Sequence, residues 1–529
     1  MTEITVRIGG QAGDGIASIG EAVARSFSRM GLHLFGLNAY QSVIRGGHVW
    51  FQARASDGRP YSPGDGSDIL YALDRATVDI HSAGIRPGGT IVFDPEKFPL
   101  TASDVPAGVR ALPVPTLEIA RKYTSQSILQ NAGGIGATAF LAGIPLDMLH
   151  GVLTDAYGRK AGDVVDWNLG ASADGYTFAE KQSSPHAHAL SKRGSPKLLM
   201  TGNQAIALGA AAAGCKFLAQ YPMTPASTVM HWMAAHSHSL GIVVKQAEDE
   251  LAAIHMAIGA SFAGVRSMTA TSGGGFALMT EGLGMAGMTE TPLVVVEAQR
   301  AGPSTGLPTK TEQGDLNLML GAGQGEFPRA ILAPSNPAEA YRATVTAFDL
   351  AERWQTPILL ASDFHLSESL MTVDRDEIDL NVPVPSLFTV VPNGHDYRRF
   401  QYTESGVSPR AFPGQPGLNF IAGSDEHDER GHLVSDIHAG IPLWISERRR
   451  MMEKRMKKLH GLAKDSPGPV FEGPADAPLT FVAWGSTVGA VRDAVALLRE
   501  KGKSTNLLHF PTVYPLDPEV IRAAFSRTR

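Results

Sequence analysis

The segment QAEDELAAIHMAIGAS places three acidic residues, Glu248, Asp249 and Glu250, between an apolar strand pattern and a helical pattern. Carboxylates at a helix N-terminus are stabilised by the helix dipole, so a solvated acidic first turn is one interpretation. The helix continues with small residues, which would leave room for a flat ring to pack against it. These residues are Ala252, Ala253, Ala257, Gly259 and Ala260. On this second interpretation, a carboxylate at the start of the helix reaches a ring nitrogen of the ligand.

A second candidate for chemistry is Arg300, which directly follows the apolar run PLVVVEAQ. An arginine presents a planar fork of N–H donors that matches a carboxylate or phosphate. The loop after it carries further polar side chains, namely Ser304, Thr305, Thr309 and Lys310. This combination predicts recognition of an anionic group.

The segment YPMTPAST, from Tyr221 to Thr228, follows another short apolar strand pattern. Its two prolines fix the backbone of the turn. The hydroxyl groups of Thr224, Ser227 and Thr228 can then face a crevice or cap the helix that follows. Both interpretations are open on the sequence alone.

A glycine turn in TATSGGGFALM, containing Ser272, Gly273 and Gly274, follows one more strand pattern. Backbone amides at such a turn can face a ligand. All four segments stand where a strand of a predicted parallel sheet ends, and open α/β sheets bind ligands at that edge. We therefore expect the four segments to form one crevice.

Two segments near the N-terminus are also candidates. The glycine loop IGGQAGDGI lacks the glycine spacing of a dinucleotide-binding site. Asp14 and Asn38 resemble the residue pair of a metal–diphosphate site only faintly. A simple turn is therefore the favoured interpretation of this loop. In SVIRGGH, an arginine beside two glycines could present its fork to an anion. Ser42 and Arg45 are the candidate side chains there.

Strand and helix patterns alternate along most of the 529 residues, which predicts an α/β protein of several domains. We predict domains at residues 1–182, 197–442 and 478–529, with a linker at 183–196 and a connecting helix and linker at 443–477. The basic segment SERRRMMEKRMKKLHGLA within the last connection is expected to be a solvated helix face or a subunit contact.

Composition excludes several classes of protein. The formal charge of -6 and the lack of a long basic block argue against nucleic acid as a partner. A single cysteine, Cys215, cannot build a disulfide framework, a cysteine zinc site or an iron–sulfur cluster. No apolar run approaches the ~20 residues of a membrane span, and no secretory signal is apparent, so a cytoplasmic location without membrane association is expected.

These motifs resemble those of the 2-oxoacid:ferredoxin oxidoreductases, in the form that fuses a gamma domain ahead of the alpha subunit. YPMTP, QAEDELAAIHMAIGASFAG, TSGGGFALM and VVVEAQRAGPSTGLPTKTEQGDL are close to the family pattern, and GGQAGDG and SVIRGGH resemble its gamma domain. The resemblance covers nearly the whole chain. It implies a gamma domain, a parallel α/β domain of the thiamine diphosphate pyrimidine-binding type, and a short transketolase-C-like α/β domain that ends early.

The resemblance also implies roles for individual residues. Glu250 would activate the thiamine diphosphate cofactor, since Gly259 follows it at the family's spacing, with Glu248 as the competing choice. Thr224 and Arg300 would complete the catalytic set. Cofactor-binding residues would be Tyr221, Pro222, Met223, Thr224, Glu250, Ser272, Gly273 and Gly274. Substrate-binding residues would be Thr224, Arg300, Ser42, Arg45, Ser304, Thr305 and Lys310. No metal ligand is expected on this chain.

In such an enzyme, a separate beta subunit would hold the diphosphate, Mg²⁺ and a [4Fe-4S] cluster, in an (alpha-beta)₂ heterotetramer. The reaction implied is the reversible, coenzyme A-dependent oxidative decarboxylation of a 2-oxoacid, with ferredoxin as the electron carrier. The motifs favour 2-oxoglutarate, giving succinyl-CoA and CO₂. A branched-chain or broad 2-oxoacid specificity, a non-catalytic scaffold subunit and a dinucleotide-dependent enzyme are the alternatives.

Overall fold

The computed structural model describes residues 2–41, 46–158, 163–384, 396–435, 441–526 and 528. The chain forms two compact units. The first comprises Met1–Met200 with Glu368–Glu377, and the second comprises Thr201–Ser367 with Ile378–Arg529.

The secondary structure alternates between strands and helices, as the sequence predicts. The strands are β1 (Glu3–Gln11), β2 (His33–Ala39), β3 (His48–Ser56), β4 (Ser67–Ala72), β5 (Ile85–Phe93), β6 (Arg110–Pro113), β7 (Leu198–Thr201), β8 (Phe217–Gln220), β9 (Val243–Gln246), β10 (Ser267–Thr271), β11 (Leu293–Gln299), β12 (Ala330–Leu332), β13 (Pro357–Asp363), β14 (Leu370–Val373), β15 (Val470–Glu472), β16 (Thr480–Trp484), β17 (Asn506–Phe510) and β18 (Thr512–Tyr514).

The helices are α1 (Ile16–Arg29), α2 (Arg75–His81), α3 (Thr116–Arg121), α4 (Gln130–Ala142), α5 (Leu146–Tyr157), α6 (Val164–Gln182), α7 (Gly202–Ala212), α8 (Ser227–Leu240), α9 (Glu250–Phe262), α10 (Gly273–Met288), α11 (Leu316–Gly321), α12 (Pro337–Trp354), α13 (Phe364–Glu368), α14 (Ile441–Asp465), α15 (Thr487–Glu500) and α16 (Pro518–Phe525). Among the described residues, none of these helices has the length and apolar character needed to cross a lipid bilayer.

The first unit is built on an eight-stranded mixed sheet with the order β6-β5-β4-β1-β3-β2-β14-β7. In its central strand β1, every second side chain from Ile4 to Ile8 is apolar. Ile4, Val6 and Ile8 point into the core and are at most 1% exposed. β1 runs parallel to β4 and antiparallel to β3. This alternation of apolar side chains is what makes the segment a strand with a buried face.

The second unit is built on a seven-stranded sheet with the order β18-β12-β13-β11-β10-β8-β9. All its strand pairs are parallel except β12 with β18. β11 is buried along its whole length, as expected of a strand covered on both faces by helices. The carboxyl ends of β8, β9, β10 and β11 therefore meet at one edge, as the sequence predicts.

The C-terminal region adds a small three-stranded sheet, β15-β17-β16, to this unit. The predicted strands of this region form as β16 and β17, which pair in parallel. The strand that follows, β18, instead joins the edge of the seven-stranded sheet beside β12.

The basic helix α14 has the expected solvated face, on which Arg448, Arg449, Arg450 and Lys457 are exposed, but its opposite face is buried. Lys454 and Lys458 are buried, and they donate to the two carboxylate oxygens of Glu290 at 2.5 and 2.6 Å. Arg455 is also buried and pairs with Glu426. A buried charge needs a partner, and these ion pairs provide it, so α14 docks on the core through its basic side chains.

Candidate active site

The loop after β8 is held by two amide side chains. Asn203 donates to the carbonyl oxygen of Pro225 and to the hydroxyl of Thr228, both at 2.7 Å, and Gln220 donates to the carbonyl oxygen of Ala226 at 3.0 Å. Helix α8 begins at Ser227 without a side-chain cap. A side-chain cap is thus not present at this helix start, and the hydroxyl of Thr228 accepts from Asn203.

Helix α9 begins at Glu250, and its N-cap is Asp249, whose carboxylate accepts from the backbone N–H of Ala252 at 2.8 Å. Glu250 is 5% exposed, whereas Glu248 is exposed to solvent. The Glu250 carboxylate lies against Gly275 in the first turn of α10, where a Cβ would come 2.4 Å from Oε1. Only a glycine leaves room for that carboxylate.

The small residues of α9 do not form the predicted slot. Ala253 and Ala257 are fully buried and pack with Ile254 and Phe276 in the hydrophobic core. Gly259, by contrast, lies on the exposed side of the helix. The alanines are small because α9 packs closely on its neighbours in the core.

A cavity of about 480 Å³ lies at the carboxyl edge of the sheet, within the range of small-molecule sites. It is lined by Met223, Gly273, Gly274, Ala277, Arg300, Ala301, Gly302, Pro303, Ser304, Thr305, Asp315 and Leu318. Residues from the turns after β8, β10 and β11 thus meet at one cavity. Glu250 is not part of the lining, but Gly275, which it contacts, directly follows the lining residue Gly274.

Arg300 is the cation of this lining, and only 8% of it is exposed. It donates to the carbonyl oxygen of Thr224 at 2.7 Å, which joins the turns after β8 and β11. Burial lowers the pKa of Arg300, while the charge of Asp315 acts in the opposite direction. Backbone amides at the N-terminus of α10 add to the positive potential, so the cavity suits an anionic group.

Two acidic residues near this cavity were missed by sequence analysis. Asp315 lines the cavity and approaches Gly273 so closely that a Cβ there would lie 2.5 Å from Oδ2. Glu297 is fully buried within β11. Burial raises the pKa of the Glu297 carboxyl well above its ordinary value, and the charges of Asp315 and Asp363 raise it further. The signal in the sequence is a carboxylate inside the apolar run LVVVEAQ.

Not all predicted site residues reach the cavity. Ser304 and Thr305 line it, but Lys310 is exposed and is not among the lining residues. Ser42 and Arg45 fall outside the described residues.

Two predicted cofactor-binding residues, Tyr221 and Pro222, directly precede the lining residue Met223 but do not line the cavity themselves. Ser272 is fully buried at the N-cap of α10, and within the described part of the chain its hydroxyl oxygen has no hydrogen-bond partner.

The N-terminal glycine loop forms a turn. Asp14 accepts from the backbone N–H of Gln11 at 2.9 Å, and Gly15 has a positive φ of 79° at the start of α1. The side chain of Asn131 donates to the carbonyl oxygen of Asp14 at 2.7 Å. These contacts agree with the turn interpretation of GDG.

Three family models match the chain. "Pyruvate ferredoxin/flavodoxin oxidoreductase" matches residues 5–178, and "Pyruvate flavodoxin/ferredoxin oxidoreductase, thiamine diP-bdg" matches residues 208–441. "Transketolase, C-terminal domain" matches residues 474–529. Together they support the three kinds of domain that the motifs imply.

Whole-chain comparisons agree with these models. The 2-oxoacid:ferredoxin oxidoreductase subunit alpha of Sulfolobus sp is 33% identical, over 97% of this chain and 87% of that protein. The 2-oxoglutarate oxidoreductase subunit KorA of Mycobacterium tuberculosis is 28% identical, over 97% of this chain and 82% of that protein.

A solved structure extends the likeness to three dimensions. The 2-oxoglutarate:ferredoxin oxidoreductase of Magnetococcus marinus, with 2-oxoglutarate, coenzyme A and succinyl-CoA bound, matches with a TM-score of 0.92 and 33% identity. The match covers 100% of this chain and 91% of that chain. The chain therefore belongs to the 2-oxoacid:ferredoxin oxidoreductases, as an alpha subunit that carries a gamma-type domain ahead of its thiamine diphosphate-binding domain.

Proposed function

We propose that this chain, together with a beta subunit, catalyses the coenzyme A-dependent oxidative decarboxylation of a 2-oxoacid, with 2-oxoglutarate as the favoured substrate and ferredoxin as the electron acceptor. The observation that carries the proposal is the position of Glu250. Its buried carboxylate lies against Gly275 in the first turn of α10. The two residues before Gly275, Gly273 and Gly274, line a cavity that is also lined by Arg300.

The residues at this edge fit thiamine diphosphate. The hydroxyl of Ser272 is buried and is left without a partner in the described part of the chain, so it can bond to a ligand. Glycine at position 275 makes the room that the Glu250 carboxylate occupies. The pyrimidine ring would be held by Glu250, Met223, Ser272 and Gly274. When bound, the cofactor supplies the nucleophile and the electron sink for decarboxylation.

Glu250 would hold a proton at its carboxyl in a hydrogen bond to the pyrimidine ring. Positioned acid–base groups of this kind contribute roughly 10²- to 10⁴-fold to a rate. Burial supports Glu250 over Glu248, because the exposed side chain of Glu248 would have to compete with water for the same bond.

Arg300 would bind the carboxylate of the oxoacid, with help from the hydroxyl groups of Ser304 and Thr305. Its hydrogen bond to the carbonyl oxygen of Thr224 fixes the direction of the guanidinium group. The preference for 2-oxoglutarate rests on the likeness to the Magnetococcus marinus enzyme, which holds 2-oxoglutarate and succinyl-CoA.

Electron transfer through an iron–sulfur cluster would require another polypeptide. The one cysteine of the chain, Cys215, is fully buried, and burial raises the pKa of its thiol to about 12. A thiol that stays protonated is a poor cluster ligand. We therefore assign the cluster to the beta subunit, and the family resemblance implies that Mg²⁺ and the diphosphate are held there too, in an (alpha-beta)₂ assembly.

The test is the substitution Glu250→Gln in the complex purified with its beta subunit. We expect kcat for ferredoxin reduction to fall by about 10²-fold or more. Glu248→Gln is the matched control, and it should keep wild-type activity because that side chain lies in solvent. Full activity of the Glu250→Gln complex would refute the assignment.

Substrate choice is tested separately, by comparing kcat/KM for 2-oxoglutarate, pyruvate and 2-oxoisovalerate in the wild-type complex. A higher value for 2-oxoisovalerate would favour the branched-chain alternative. A complex that binds no thiamine diphosphate and turns over none of the three would favour a scaffold role.

A further inference from the structure

An acid pair lies beneath the cavity. Glu297 is fully buried in β11, and within the described part of the chain no N–H or O–H group donates to either of its carboxyl oxygens. Asp315 lines the cavity, and a hydrogen bond to its carboxyl is among the causes that raise the pKa of the Glu297 carboxyl. Two facing carboxylates repel each other, so such a pair is stable when it shares one proton.

The charges around the pair determine which oxygen keeps the proton. Glu297 faces Asp315 and Asp363, and both are acidic. Asp315 also faces Glu312 and the cation Arg300. Glu297 is thus surrounded by negative charge in the interior of the sheet, while Asp315 has a cation and the cavity beside it. The proton therefore belongs on Glu297.

Other contacts hold both neighbours of Glu297 in place. The backbone N–H of Asp315 donates to Gln299 Oε1 at 3.1 Å. Asp363 accepts from Ser486 at 2.5 Å and from Gln313 at 3.0 Å, so its carboxylate already has donors. Asp315 is left as the carboxylate that can accept a hydrogen bond from Glu297.

We propose that Glu297 is a positioning residue of the active site, whose protonated carboxyl donates to Asp315 and so limits the acid pair to a single negative charge beside Arg300. This inference rests on the proposed function, in which Arg300 binds the oxoacid carboxylate. A second negative charge would compete with the substrate for Arg300 and would repel it. Ionisation of Glu297 should therefore weaken substrate binding.

The first test needs no activity. A group whose pKa is higher in the folded than in the unfolded state contributes stability that is lost as the pH rises from its unfolded pKa, about 4.3, towards its folded pKa. Glu297→Gln keeps a donor for Asp315 but cannot ionise. In the full chain, we expect the difference between the Tm of this variant and that of the wild type to shift in favour of the variant as the pH is raised from about 5 to about 8. A Tm difference that does not change with pH would overturn the acid pair.

The second test measures KM for the oxoacid against pH in the complex. Adding one charge a few ångströms from the substrate carboxylate, at an effective dielectric constant of ~20, corresponds to a rise of roughly tenfold or more in KM. We expect the wild-type KM to rise at high pH, and the Glu297→Gln variant to lose that rise. Glu312→Gln removes an exposed charge near Asp315 and should keep the wild-type profile.

The outcomes separate the two proposals. Matching KM profiles in wild type and Glu297→Gln would overturn the role in substrate binding. An inactive wild-type complex would refute the proposed function, while the Tm comparison would still decide whether Glu297 carries the proton.

Discussion

The contact between Gly275 and Glu250 allows a test of the site that removes none of its functional groups. In Gly275→Ala, the new Cβ would lie 2.4 Å from Glu250 Oε1, 2.7 Å from its Cγ and 2.1 Å from the hydroxyl oxygen of Thr271. Ordinary contacts of a Cβ begin at 3.4 Å. The carboxylate must therefore move by about 1 Å, the difference between 3.4 and 2.4 Å.

Such a displacement should reduce catalysis more than stability. A misplacement of ~1 Å at a catalytic group can lower the rate by about 10²-fold. Overpacking of this kind lowers the free energy of unfolding by about 1–3 kcal/mol, and replacing glycine by alanine in a helix offsets about 0.5–1 kcal/mol of that loss. We therefore expect a folded protein whose kcat falls by about 10²-fold.

The assay is 2-oxoacid-dependent ferredoxin reduction by the purified complex, with unfolding by denaturant measured in parallel. Gly284→Ala is the matched control, since it lies on the same helix and a Cβ there meets nothing within 4 Å. It should keep full activity and gain slightly in stability. If Gly275→Ala acts by moving Glu250, it should add little to the loss already caused by Glu250→Gln. Wild-type kcat in Gly275→Ala would refute the reasoning.

Two further predictions concern stability. Glu290→Gln should lower the free energy of unfolding by about 3–5 kcal/mol in denaturant titrations, because it leaves the ammonium groups of Lys454 and Lys458 buried without their carboxylate. The control is Lys457→Met, which changes an exposed lysine of the same helix and should alter the free energy of unfolding little. Burial alone would raise the pKa of Asp374, but the hydrogen bond from Lys197 and the nearby cations lower this pKa below its ordinary value. Asp374 therefore stabilises the fold at a pH above its unfolded pKa, and this contribution is lost as the pH falls. The Tm of the wild type should therefore decrease more steeply than that of Lys197→Met between about pH 6 and pH 3, and parallel curves would contradict this.

Much of the fold could be predicted from local patterns, because apolar runs bounded by glycine turns mark β8 to β13 directly. The discontinuous part of the first unit could not. β14 belongs to that unit by its antiparallel pairing with β2, yet it lies between segments of the second unit. Backbone pairing over such a distance leaves no local signal. The burial of Lys454 was missed for the same reason, since its partner Glu290 lies 164 residues away.

The sequence predicted which segments form the candidate site, but not the position of every side chain in it. The sequence places four segments at one sheet edge because parallel strands share their direction. It cannot separate Glu248 from Glu250, since both are acidic residues at a helix start, and only the packing of α9 buries one and exposes the other. Asp315 was missed because its place beside Gly273 depends on the course of a long loop.

The direction of the strands also explains why a proton is needed beneath the cavity. At this edge the N-terminus of α10 and the guanidinium group of Arg300 both favour a negative ligand. Asp315 opposes them, and an ionised Glu297 would oppose them further. The strand that delivers Arg300 to the edge also places Glu297 three residues earlier, inside the sheet. The burial that results keeps Glu297 protonated, so the cavity retains its attraction for an anion while Asp315 retains a hydrogen-bond donor.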